Sequence, residues 1–75
     1  MEDLAPRITL DPKTRGGKPV IKGTRVPVST VVAHLASGWD YDRVMREFGL
    51  ERADILAALQ YAATTLENED IRAVP

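Results

Sequence analysis

The sequence predicts a mainly α domain: a small N-terminal β-hairpin element followed by three helices, the last two in helix-turn-helix order. Three observations carry this. Glycine, proline and β-branched residues dominate before Val28. After Val28 the apolar residues recur at helical spacing. Gly38 and Gly49 then cut that stretch into two short helices and one longer one. With 75 residues there is room for one small domain, whose core is thin.

Taken in order, residues 1–6 read as a flexible N-terminus. Ile8 and Leu10 alternate with Arg7 and Thr9 as a half-buried strand does. Asp11-Pro12 opens a turn, and Arg15-Gly16-Gly17-Lys18 is loop chemistry. Val20-Ile21 and Arg25-Val26 flank Lys22-Gly23-Thr24, a three-residue hairpin loop. Pro27 ends the β region because it cannot donate to a ladder.

The first helix sets Val28, Val31, Val32, Leu35 and Ala36 on one face, with Ser29 as N-cap and Gly38 as stop. Asp40 caps the second, which turns Tyr41, Val44, Met45 and Phe48 inward and ends at Gly49. The third runs from about Arg52 to Leu66 and buries Ile55, Leu56, Leu59, Ala62, Ala63 and Leu66. A single domain over residues 7–66 results, with residues 67–75 as a C-terminal tail.

Composition removes several functions. At 44% hydrophobic and 28% charged the chain is a folded domain rather than a disordered one. It has no cysteine, so no disulfide or thiolate zinc site is expected, and the lone His34 argues against a histidine-built metal centre. No cofactor is expected. The short acidic start lacks an apolar run, so the chain is expected to be cytoplasmic and off the membrane. Catalysis is not expected either. Gly16-Gly17-Lys18 falls short of a phosphate loop, with Pro19 where Ser or Thr belongs. Mid-helix, His34 has no sequence-defined nucleophile or acid beside it, and Asp40 and Asp42 mark a helix start.

The net charge of −1 conceals a gradient. Arg7 to Arg25 carries +5, whereas Asp40 to the C-terminus carries −4. A short helix, a turn holding Gly49 and a longer helix have the shape of a DNA-binding helix-turn-helix, and equally of any small helical pair.

The run Arg15-Gly-Gly-Lys-Pro-Val-Ile-Lys-Gly-Thr-Arg-Val-Pro-Val28 is followed by a helix, Ala36-Ser-Gly-Trp39 and Ala57-Ala-Leu-Gln-Tyr-Ala-Ala63. This arrangement resembles the family catalogued as domain of unknown function four hundred and thirty-three. The resemblance covers about residues 7 to 66. It implies a homeodomain-like or winged-helix domain and members similar to VapB-type antitoxins, paired with a PIN-like ribonuclease toxin. It thereby implies an antitoxin that neutralises such a toxin and binds its own operator DNA. The alternative is a protein-interaction or assembly module whose helix-turn-helix no longer touches DNA.

The residues distribute between these readings. Lys13, Arg15, Lys18 and Lys22 suit phosphates. Arg25 suits them too, or serves as an internal strut of the Gly-Thr-Arg-Val-Pro turn. At the start of the third helix Arg52 suits a base edge, while Glu51 and Asp54 suit capping as well as contact. Leu56, Leu59, Ala63 and Leu66 exceed what two short helices can cover, which predicts a homodimer seam; core packing with tolerated surface alanines is the plainer account. Ile71, Arg72 and Val74 lie outside any periodic pattern, as a frayed end or as a segment docking on a partner.

Overall fold

In the computed structural model, residues 2–13 and 16–68 are described. The elements run β1 (Glu2–Ala5), β2 (Ile8–Leu10), β3 (Pro19–Ile21), α1 (Val28–Ala36), α2 (Tyr41–Phe48) and α3 (Arg52–Glu67). The strands form one antiparallel sheet in the order β1-β2-β3. Ile8 faces Ile21, Thr9 faces Val20 and Leu10 faces Pro19. The expectation of a helix-rich domain with a small N-terminal β element holds.

Two expectations about the sheet change. Glu2–Ala5, expected as a flexible end, pair with β2 from Glu2↔Leu10 to Ala5↔Ile8 across a bulge between Asp3 and Ala5. The simple alternation along β2 also fails, because Thr9 is buried and Leu10 only half-buried. β2 is the central strand, and Thr9 lies between Asp3 on one neighbour and Val20 on the other.

The Lys22-Gly23-Thr24 turn forms, but the return limb is not a strand. Thr24 N donates to Ile21 O (3.0 Å), and Gly23 adopts φ 81°, which glycine reaches without strain. Ile21 N then bonds Val26 O (2.9 Å), and Val20 makes a single bridge to Pro27. Proline halts the pairing there, having no N–H to extend it.

α1 opens two residues earlier than the expected cap suggests. Pro27, not Ser29, occupies the N-cap, and no side chain caps this helix. Val28 and Val31 are buried, Val32 and Leu35 half-buried, and Ala36 exposed. α2 follows its expected course: Asp40 accepts from Arg43 N at 2.8 Å, and Gly49 closes the helix at φ 66°. A left-handed glycine at this position lets Leu50 N return to Met45 O (3.0 Å). Gly49 to Glu51 thus make a three-residue turn between α2 and α3.

The core gathers Ile8 and Ile21 from the sheet, Val28 and Val31 from α1, Val44 from α2, then Leu50, Ile55 and Ala58. α3 accounts for the main misassignment. Leu56, Ala63 and Leu66, expected inside, are exposed, and the buried positions of α3 are Asp54, Ile55 and Ala58. Leu56 follows buried Ile55 by one residue and so points to another side of the helix, while Ala63 and Leu66 lie in the second half of a helix longer than either neighbour. At 1.5 Å per residue α3 is about 24 Å long, against about 13 Å for α1 and about 12 Å for α2. Two short helices cover one stripe of it.

Candidate functional site

α3 presents its unpartnered apolar side chains on one outer arc. Leu56 is 47% exposed and Leu66 58%, with exposed Ala63 and half-buried Leu59 between them. From Leu56 the steps to Leu59, Ala63 and Leu66 are three, four and three residues, so successive members stay on the same side of the helix. The expected seam residues are therefore brought together, with Leu59 also packed against the core.

Next to Leu66 lies an apolar groove of about 620 Å³ between α1, β3 and the last turns of α3. Pro19, Val28 and Val32 line one part, and Tyr61, Ala62 and Leu66 another, with Lys18 the one charged lining residue among the described residues. A second groove of about 420 Å³ separates Leu4–Pro6 from Ala57, Tyr61 and Thr64. Apolar clefts of this size on a small domain are characteristic of binding surfaces.

The basic residues fare unequally. Lys13 and Lys18 are exposed on the β2–β3 connection, where Gly16 and Gly17 take φ 80° and 62°. Lys22 is exposed and lies 3.3 Å from Asp3, an ion pair that offsets its charge. Arg25 is exposed, and the strut that was one of its two readings is made by Thr24. Thr24 Oγ1 donates to Ile21 O at 2.7 Å and accepts from Val26 N at 3.0 Å. Arg15, Ile71, Arg72 and Val74 lie outside the described residues.

The start of α3 is built for its own stability. Asp54, expected on the surface, is buried, because its carboxylate faces inward to two donors. Its Oδ2 accepts from Glu51 N (2.9 Å) and its Oδ1 from Arg7 Nη1 (2.9 Å). Arg7 is the residue sequence reasoning missed. It sits in the β1–β2 turn at φ 65°, the left-handed region that disfavours side chains, and its guanidinium also lies 3.8 Å from Glu51. Asp54 stands three residues after the cap, and that capping spacing was the available signal for its role. Arg52 lies over the Tyr41 ring, 4.9 Å from its centroid, which restrains the one side chain here suited to a guanine.

A second cluster joins α1 to α2. The His34 ring meets Trp39 and Phe48 edge-on, at 4.5 and 5.1 Å between centroids, and its Nδ1–H donates to Thr30 O at 2.7 Å. Arg43 covers Trp39 at 3.7 Å. His34 thus packs as a boundary residue. Among the described residues, no group of three or more His, Cys, Asp or Glu is placed to hold a metal ion. None of the described helices is long and apolar enough to cross a membrane.

Comparison with known proteins gives a family and one relative. The profile of a family described as "Protein of unknown function (DUF433)" matches residues 8–62. The uncharacterized protein y4eO of Sinorhizobium fredii (strain NBRC 101917 / NGR234) is 38% identical over 66 residues. That stretch is 83% of this chain and 30% of the relative, so the chain spans under a third of the longer protein. No solved structure matches.

Proposed function

The chain belongs to the DUF433 family of proteins of unknown function, and on that premise we propose that it is a protein-docking module of the antitoxin kind. In this reading it holds a PIN-like ribonuclease toxin and keeps it inactive. The observation that supports it is the apolar groove between α1, β3 and the last turns of α3, lined by Val28, Val32 and Tyr61. An apolar surface of this kind on so small a domain gains most from a partner. Cytoplasmic location and a homodimeric state belong to the same proposal.

The test is co-expression with the product of the neighbouring reading frame. A complex on size exclusion, with ribonuclease activity suppressed, is the expected result. Ala33→Glu, at an exposed position lining that groove, should weaken the complex at least tenfold while leaving helical content unchanged. A nuclease that elutes separately and stays fully active would end the antitoxin reading.

Operator binding is the second reading, favoured by one feature: Lys13 and Lys18 stand exposed on a glycine-bearing connection that can follow phosphates. The start of α3 adds little to it. Asp54 is turned inward to Arg7, Arg52 lies over Tyr41, and Glu51 would face phosphates with the wrong sign.

A further inference from the structure

We propose that the occupant of the outer α3 arc is a second copy of this chain, with the two α3 helices antiparallel about a two-fold axis near position 61. This rests on the reading of the chain as a docking module, in which the groove between α1 and α3 takes the toxin and the outer arc takes the second copy.

Spacing carries the first part. Leu56, Leu59, Ala63 and Leu66 follow the three-four-three alternation of a helical seam, and this alternation keeps a seam facing its partner. In an antiparallel pair, residues whose numbers add to a constant lie opposite one another. With that constant at 122, Leu56 meets Leu66 of the second copy, and Leu59 meets the second copy's Ala63. Four layers result, all apolar. The two most exposed leucines of α3 cover each other, and the half-buried Leu59 is set against a methyl group.

Charge carries the second part, and it selects the direction. Arg52 opens α3, at the helix end that carries partial positive charge; Glu67 closes it at the negative end, and no cation stands in its last turn. Each charge has the wrong sign for its own helix. Antiparallel pairing brings Arg52 towards the second copy's C-terminal end and Glu67 towards its N-terminal end, where both signs are favourable. A parallel pair would instead align Arg52 with Arg52 and Glu67 with Glu67. At the centre of the antiparallel pair Gln60 lies beside its own symmetry mate, so no like charges meet there.

The chain has no cysteine, which makes single-cysteine cross-linking clean. Gln60→Cys should cross-link through the exposed centre of the seam under mild oxidation. Arg52→Cys should not, since nine residues from the axis in each copy separates the two thiols by about 27 Å. Light scattering on the unmodified chain at about 100 µM should give twice 8.3 kDa, and Leu56→Glu should return it to one chain with unchanged circular dichroism. Cross-linking at Arg52→Cys as efficient as at Gln60→Cys would overturn the antiparallel arrangement. A monomer under these conditions would overturn the pairing altogether. A monomer that still binds and inhibits the nuclease would do so while leaving the docking reading intact.

Discussion

The guanidinium of Arg7 lies 2.9 Å from the carboxylate of Asp54 and ties the β1–β2 turn to the first turn of α3. The same carboxylate caps α3 through Glu51 N, so one buried acid fixes both a helix start and its attachment to the sheet. Arg7 holds this contact at φ 65°, a conformation that costs an L-residue roughly 1–2 kcal/mol.

That strain inverts an ordinary ranking. Arg7→Ala loses the ion pair and keeps the strain, whereas Arg7→Gly loses the ion pair and relieves it. Urea denaturation should find Arg7→Gly the more stable of the two by about 1 kcal/mol. Asp54→Ala should be worse than either, roughly 1–2 kcal/mol below the parent, as it removes the acceptor of Glu51 N and leaves Arg7 only the longer pair with Glu51 at 3.8 Å. An Arg7→Ala protein at least as stable as Arg7→Gly would show that the turn does not hold this backbone.

Thr9 is 1% exposed, and its hydroxyl has no hydrogen-bond partner among the described residues. Thr9→Val keeps the shape and removes the buried hydroxyl. Thermal melting should show a rise in stability of about 1 kcal/mol. A drop would mean that the hydroxyl is satisfied in solution.

Adjacent positions on α3 should respond in opposite ways. Ile55 is fully buried, so Ile55→Ala should cost roughly 2–4 kcal/mol. Leu56→Ala, measured at sub-micromolar concentration, should change stability by less than about 0.5 kcal/mol. Equal losses at the two positions would put Leu56 back in the core.

At Gly49 a Cβ would meet nothing within 4 Å, so only backbone conformation opposes a side chain. Gly49→Ala should therefore cost about 1 kcal/mol, and Gly49→Asn less, because asparagine tolerates the left-handed region better. A neutral alanine would argue that the α2–α3 turn adjusts freely.

Should operator DNA bind, the slope of log affinity against log salt locates the contacts. Lys13→Gln with Lys18→Gln should flatten it by about 1.8, at 0.9 per phosphate contact. Lys22→Gln should contribute less than its share, because its ammonium already faces Asp3. Loss of all binding on Arg52→Ala alone would move the DNA surface to α3.

The helices were legible because their signals are local: Asp40 as a cap, Gly49 as a stop and Val44 on the inward stripe all read from neighbours within one or two turns. β1 was not legible. Glu2–Ala5 is a strand through pairing with Leu10 and Ile8, and nothing inside that segment announces it. The same limit hid Arg7 and Asp54, which meet across 47 positions. On α3 the apolar residues alone did not reveal which would be covered, since that depends on how far α1 and α2 extend alongside. The exposed stripe was legible as an excess, and its partner grooves were not.

The span between Arg7 and Asp54 also bears on the order in which the chain assembles. Closing a loop of 47 residues is entropically costly compared with the short turns at Gly38 and Gly49, and the cost precedes any gain from the contact it makes. The helical segment is therefore expected to consolidate first and the sheet to dock onto it afterwards. Amide exchange should then find two tiers of protection, with the protons of Ile8 and Val20 released through openings that leave Val44 and Ile55 closed. Arg7→Ala would widen the gap between the tiers, since it cuts the ionic strap of Arg7 to Asp54 and Glu51 without touching the helices' own contacts.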